Sequence, residues 1–303
     1  MGRHKKPRWL MILEETAAKL VATVFRALPH RSTQRLGSIL ATLIHDLLHI
    51  RVEVALDNLQ HAFPDSTPEW RKKTVRQVYS HFGAVAGELA RIPVLVDGSF
   101  DKWVSTDDES IAALQKAADD EHGGIVVSGH LGNWELVGAW AAWKGYPTTY
   151  VVAQQSNPLI EELIDHHRRA AGIEIVKRTD AGRGVLEALK RKRIVAMLMD
   201  QDARRDGVFV PFFGRQASTF RGVATFAVKR RPTVLAFESW REKDGRIHFR
   251  FREVEIPNTG ERERDIVELT AELTRTLESY IRRHPEQWLW LHRRWKTRPE
   301  HVE

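Results

Sequence analysis

The 303-residue chain contains no cysteine, so neither a disulfide nor a thiolate metal site is available to it, and the redox character of its compartment stays open. It also lacks the roughly 18 uninterrupted apolar residues that a spanning helix needs. The nearest stretch, Trp9 to Leu28, is broken by Glu14, Glu15, Lys19 and Arg26. No small-residue cleavage site follows a clean apolar core there, so it does not read as a signal peptide. The catalytic signatures that identify common enzyme classes are missing too. There is no Gly-x-Ser-x-Gly elbow, because Ser128 is followed by Gly129 and His130. Walker and Gly-x-Gly-x-x-Gly loops are absent, as is His-Glu-x-x-His, and the neighbours His166 and His167 face apart on any helix. Internal repeats, low-complexity tracts and linkers are likewise lacking.

What the chain does have is an excess of base, with a formal net charge of +7 that points to anionic partners: nucleic acid, a phospholipid surface or an acidic carrier protein. The base is gathered at the ends. Arg3, Lys5, Lys6 and Arg8 precede Trp9, while Arg282, Arg283, Arg293, Arg294, Lys296 and Arg298 accompany Trp288, Trp290 and Trp295. Base beside indole suits a membrane interface, and it also suits single-stranded nucleic acid. A solvated basic face with ordinary core tryptophans has the same composition.

Up to about residue 95 the pattern is helical. Leu10, Leu13, Ala17, Leu20, Val21, Val24 and Leu28 keep helical spacing until Pro29, and a second run holds Leu36, Ile39, Leu40, Leu43, Leu47 and Leu48. The two form either an apolar hairpin lying on a bilayer or a helical layer over the main core. Thr67-Pro68 reads as an N-cap with proline at the first helical position, opening a helix through Val75, Val78, Phe82, Val85 and Leu89. Beyond it, apolar strand candidates at 124–128, 148–153, 173–176, 194–199 and 233–238 alternate with helical candidates at 133–144, 158–171 and 184–191. Such alternation predicts an α/β fold, a central and largely parallel sheet flanked by helices. Ile247, Phe249 and Phe251 alternate with polar residues, as in an edge strand with one wet face, and 263–283 is a last amphipathic helix. The expected organisation is an N-terminal helical, membrane-contacting layer (1–95) on an α/β core (96–303), forming one continuous domain.

The chemistry-bearing stretch is Gly124-Ile125-Val126-Val127-Ser128-Gly129-His130-Leu131-Gly132-Asn133-Trp134-Glu135. His130 stands at the carboxyl end of a predicted strand, where open α/β sheets bind ligands. Five residues of continuous helix turn the chain by a net ~140°, so His130 and Glu135 meet only if Gly132-Asn133 bends the backbone between them. A histidine hydrogen-bonded to a carboxylate is a general base; on spacing alone, a capping histidine beside an unrelated glutamate is the commoner arrangement. Without a nucleophile elbow, the base would act on a hydroxyl or amine of the substrate, giving direct group transfer without a covalent enzyme intermediate.

The stretch Ser128 to Glu135 resembles the His-x4-Asp/Glu motif of glycerolipid-type acyltransferases. Its form here is similar to the bacterial lipid A late acyltransferases (lauroyl and myristoyl transferases). Three further stretches carry the likeness in the same order: Asn58-Leu59 with Phe63-Pro64, Asp200-Gln201-Asp202 leading into 207–214, and Gln287 to Pro299. The resemblance implies a membrane-associated enzyme at the cytoplasmic face of the inner membrane, peripheral or monotopic. It would move a fatty acyl chain from an acyl carrier protein or coenzyme A thioester to a glycolipid hydroxyl, using no metal or other cofactor and binding no nucleic acid. A phosphatidylinositol mannoside or an aminolipid is an alternative acceptor. Different classes are a basic nucleic-acid-binding module and an inactive membrane scaffold, and the intact His-x4-Glu argues against the latter. His130 is then the expected base and Glu135 its orienting partner, while Arg169, Asp200, Asn133 and Gly132 are expected to contact substrate or oxyanion; Asp200 follows a predicted strand end, so it is expected to face the cleft and position a basic or hydroxyl group. The expected acyl channel is lined by Phe209, Phe212 and Phe213, and the expected headgroup or carrier contacts are Arg293, Arg294 and Lys296.

Overall fold

Residues 6–299 are described by a computed structural model; of the N-terminal basic cluster, Arg3 and Lys5 lie outside this range. Four helices come first: α1 (Arg8–Ala27), α2 (His30–Leu48), α3 (Val52–Ala62) and α4 (Pro68–Leu95). The Thr67 hydroxyl accepts from Trp70 N–H at 3.1 Å and caps α4, with Pro68 at its first turn. Helices α2 and α4 pack backbone to backbone. A Cβ added at Gly37 would lie 2.2 Å from the Gly83 carbonyl oxygen, and one added at Gly83 would lie 2.1 Å from that of Gly37. Only glycine allows this approach.

Strand β1 (Val104–Thr106) and helix α5 (Asp108–Asp119) lead into the alternating part. It comprises β2 (Gly124–Ser128), α6 (Trp134–Trp143), β3 (Thr148–Val152), α7 (Pro158–Ala170), β4 (Glu174–Lys177), α8 (Ala181–Lys190) and β5 (Ile194–Leu198). A two-stranded antiparallel hairpin, β6 (Val208–Phe212) and β7 (Arg215–Thr219), interrupts it before α9 (Gly222–Arg230), β8 (Thr233–Arg241), β9 (Ile247–Glu253) and α10 (Arg262–Arg283). The main sheet has seven strands in the order β1-β9-β8-β2-β5-β3-β4, and only the β8–β9 pair is antiparallel. The expected α/β class with a largely parallel sheet and an N-terminal helical region is what the structure shows.

Alternate residues of the central strands serve two cores. Ile125 and Val127 of β2, with Val195 and Met197 of β5, join the core shared with α3, α8, α9, α10 and the C-terminal tryptophans. Val126 and Ala196 face the second core, built from α6, β3, β9 and the end of α4. Burial on both faces explains why these strands read as unbroken apolar runs. One expectation needs correction: β9 is not an edge. Its Ile247, His248 and Phe249 pair in register with the short β1, a strand with too little apolar pattern to stand out.

Helices α1 and α2 pack on α4 by one face, with Ala22, Phe25 and Ala90 forming a small cluster. Their other faces leave large apolar side chains in solvent: Trp9, Leu13 and Leu20 on α1, and Ile39, Leu43, Leu47 and Leu48 on α2. Among the described residues no helix is long and apolar enough to cross a membrane.

Candidate active site

The site follows from strand register. β2 and β5 run parallel with Ser128 opposite Leu198, so two residues past each strand end, His130 and Asp200 emerge side by side at the carboxyl edge of the sheet. The ring Nδ1–H of His130 donates to Asp200 Oδ1 at 2.8 Å, and its backbone N–H donates to Asp200 Oδ2 at 2.7 Å. Trp288 adds an indole N–H to Oδ2 at 2.8 Å. Gly129 makes room for the carboxylate, since a Cβ there would sit 2.9 Å from Asp200 Cγ. Burial alone would raise the Asp200 carboxyl, but the His130 imidazolium and these donors outweigh it and hold the group at about 2. For His130, burial disfavours the imidazolium, yet Asp200, and Glu135 through space, overcome this and move the ring above its ordinary value. With Nδ1 bonded, Nε2 is the ring nitrogen left without a hydrogen bond, on a side chain still one-fifth exposed.

The turn that carries His130 is pinned from several directions. Gly132, at φ +60°, donates its N–H to the Gln287 carbonyl at 3.1 Å and accepts from His81 Nε2 at 2.9 Å. Leu289 N–H donates to the His130 carbonyl at 3.1 Å, so the C-terminal segment runs antiparallel to the turn. The Trp134 ring meets the His130 ring edge-on, with centroids 4.8 Å apart.

Glu135 is not the carboxylate bonded to His130. It is buried at the first turn of α6 and receives Arg168 Nε at 3.0 Å, a second guanidinium N–H of Arg168, and the Trp134 indole N–H at 3.1 Å. Arg168 reaches on to Asp165 at 3.1 Å. Burial works against the Arg168 charge, but Glu135 and Asp165 raise its pKa on balance. Ser128 is no nucleophile either, because its hydroxyl donates to the Phe237 carbonyl at 2.9 Å.

A family model described as bacterial lipid A biosynthesis acyltransferase matches residues 3–297. The chain belongs to that family. It is 29% identical over 278 residues to the lipid A biosynthesis lauroyltransferase of Escherichia coli (strain K12), covering 91% of this chain and 89% of that one. The palmitoleoyltransferase of the same strain is 27% identical, with 90% and 87% covered. A phosphatidylinositol mannoside acyltransferase of Mycolicibacterium smegmatis is 24% identical over 69% of this chain and 67% of its own.

Within this acyltransferase several expected site residues stand elsewhere. Arg169 is exposed on the outer face of α7 and pairs with Glu162 at 2.8 Å; its neighbour Arg168 is the arginine that faces the site. One residue is about 100° of helix, enough to exchange the faces. Asn133 caps α6, accepting from Leu136 N–H at 2.9 Å, and its amide donates to buried Glu88 at 2.6 Å. With the Gly132 N–H bonded to Gln287 and the Asn133 N–H to Ser239 Oγ, neither backbone donor is available to an oxyanion. The phenylalanines do not line one channel. Alternation along β6 sends Phe209 and Phe212 to opposite faces, and Phe212 and Phe213 are buried in an aromatic core with Trp288, Trp290 and Trp295.

Arg294 is buried, not a headgroup contact: it donates to the Ser218 carbonyl at 2.6 Å and stacks over Phe212. Burial lowers its pKa to about 10. Arg293 and Lys296 do reach solvent, beside a separate cavity. Sequence reasoning placed Asp200 in the cleft as a carboxylate that positions a basic group; it missed Arg168, Trp288 as a carboxylate donor, and that the basic group is His130. The last was signalled by two apolar runs, 124–128 and 194–198, ending two residues before His130 and Asp200.

Proposed function

We propose that this acyltransferase moves a fatty acyl chain from an acyl thioester, carried by acyl carrier protein or coenzyme A, onto a hydroxyl of a lipid A-type glycolipid. The observation that carries the mechanism is the His130–Asp200 contact, with Nε2 unbonded at the sheet edge. Asp200 fixes the tautomer and stabilises the imidazolium that forms as Nε2 takes the acceptor's proton. The freed oxygen attacks the thioester carbonyl, the tetrahedral intermediate collapses, and the imidazolium protonates the departing thiolate. Ser128 cannot serve as a covalent relay, which supports direct transfer. Arg168, the guanidinium that acts on His130 through space, supplies positive charge toward the developing oxyanion, and Glu135 holds it there.

The exposed apolar faces of α1 and α2 support attachment to the surface of the inner membrane, where such an acceptor resides. The likeness to phosphatidylinositol mannoside acyltransferases favours that lipid as a second acceptor. The test is purified protein with a labelled acyl thioester and each acceptor, followed by mass spectrometry of the lipid. Acyl transfer should disappear in His130→Ala, and transfer undiminished in that variant would refute the mechanism.

A further inference from the structure

Helix α3, the start of β7 and the C-terminal segment enclose a cavity of about 320 Å³ whose lining includes neither His130 nor Asp200. Arg215, Arg293, Lys296 and Arg298 contribute four cations to its wall, against two carboxylates, Glu53 and Asp57. Among the described residues Arg215, Arg293 and Lys296 pair with no carboxylate. With four cations against two carboxylates in its wall, the concavity carries a positive excess that suits a visiting anion. His61 Nε2, buried without a hydrogen-bond partner, lines the same space.

The cavity's position indicates what that anion belongs to. Val54 in its wall is the third residue of α3, which follows exposed Ile50 in the short link from α2, where α2 ends in exposed Leu47 and Leu48. A basic cavity therefore borders an unpartnered apolar rim. An acidic protein helix would match cations spread over a broad surface; here they are gathered into a volume suited to one headgroup, with apolar surface alongside for chains.

We propose that this cavity binds the phosphate of an anionic lipid headgroup, fixing the protein on a membrane surface at a point separate from the reacting histidine. The inference rests on the membrane-surface reading above. Binding to phosphatidylcholine vesicles, with and without a minor fraction of phosphatidylglycerol, tests it by flotation. A basic residue near an anionic surface is worth about fivefold, so a variant combining Arg215→Gln, Arg293→Gln and Lys296→Gln should lose roughly a hundredfold on anionic vesicles. Its binding to neutral vesicles should not change. The control combines Arg183→Gln, Arg264→Gln and Arg275→Gln, exposed residues paired within their own helices, and should lose only a few-fold.

Equal losses in the two triple variants would mean diffuse charge attraction and overturn the proposal. So would a triple variant that keeps anionic vesicles but no longer binds an acidic acyl carrier protein. Wild type that binds neutral and anionic vesicles alike defeats the cavity alone, whereas wild type that binds neither defeats the membrane reading itself.

Discussion

Replacing Asp200 by asparagine isolates what the carboxylate does for His130. One carboxylate oxygen accepts both the His130 backbone N–H and the Trp288 indole N–H, and the other accepts Nδ1–H. An amide has a single oxygen. If it stays with the two fixed donors, its NH2 group faces Nδ1, and the ring must carry its proton on Nε2, the wrong tautomer for a base. Loss of general-base catalysis is worth about 10² to 10⁴ in rate, or roughly 3 to 5 kcal/mol of transition-state stabilisation. The pH profile supplies a second readout. His130 acts unprotonated, so activity falls as the pH drops through its pKa, which lies above the ordinary imidazole value. Removing the Asp200 charge takes away the stabilisation of the imidazolium, so the acid limb of kcat/KM should move to lower pH. Thiol release from an acyl thioester, measured across pH, reads both effects. The parallel variant Glu135→Gln leaves the Nδ1 contact in place and should displace the limb less. A larger displacement in Glu135→Gln, with Asp200→Asn near wild type, would refute the assignment.

Arg168→Lys loses the two-pronged contact with Glu135 and should lower kcat by at least tenfold in the same assay, whereas Arg169→Ala, removing an exposed pair worth at most about 1 kcal/mol, should leave activity near wild type. Gly132→Ala forces a Cβ to within 2.1 Å of the Ser239 carbonyl oxygen at φ +60°, so urea unfolding should show a loss of about 1–3 kcal/mol together with loss of activity. His81, held neutral by burial with its pKa near 3, takes up its proton only on unfolding. Its contribution is full above about pH 6.5 and declines as the pH falls toward 3, by roughly 1.4 kcal/mol per pH unit at most. His81→Gln should therefore flatten the dependence of the urea midpoint between pH 7 and 5.5. Charged substitutions on the open face of α2, Leu43→Glu with Leu47→Glu, should abolish binding to neutral vesicles while the melting temperature holds, because both side chains are already in solvent.

Much of the scaffold was legible because parallel strands buried on both sides and the helices between them leave distinct apolar patterns. β2 is bounded in the structure as its apolar run predicts, and β3, β5, α6 and α7 differ at their ends by a residue or two. What escaped carries weak local patterns. β1 is three residues long, and β6 holds Pro211 at an exposed position. At the site, His130 stood out because glycine and a turn follow a strand, and Asp200 because it follows another strand, but the pairing of the two did not. Spacing along the chain favours Glu135, five residues away, over Asp200, seventy away, although the spacing between adjacent parallel strands makes Asp200 the nearer group. Arg168 and Arg169 are indistinguishable by composition, and only the phase of α7 against the sheet, set by buried Asp165 and His167, separates them.

The same logic explains why the C-terminal signature stands so far from the histidine in sequence. Trp288 completes Asp200, Gln287 and Leu289 bond the backbone on either side of the turn, and Asn58 donates to the carbonyls of Trp290 and His292 at 2.7 Å. Through that segment the His130 turn is tied to α3, whose Asn58 also lines the basic cavity. Of the turn Leu131-Gly132-Asn133 only Leu131 is anchored by apolar burial, and Gly132 has no side chain, so the backbone around His130 relies on hydrogen bonds to fix it. Residues 287–292 supply these from a distant part of the chain, the Gln287 carbonyl accepting and the Leu289 N–H donating. Asn58→Ala, which touches neither His130 nor Asp200, should therefore lower kcat more than it raises KM, and a variant with unchanged kcat would show that the segment holds its place without α3.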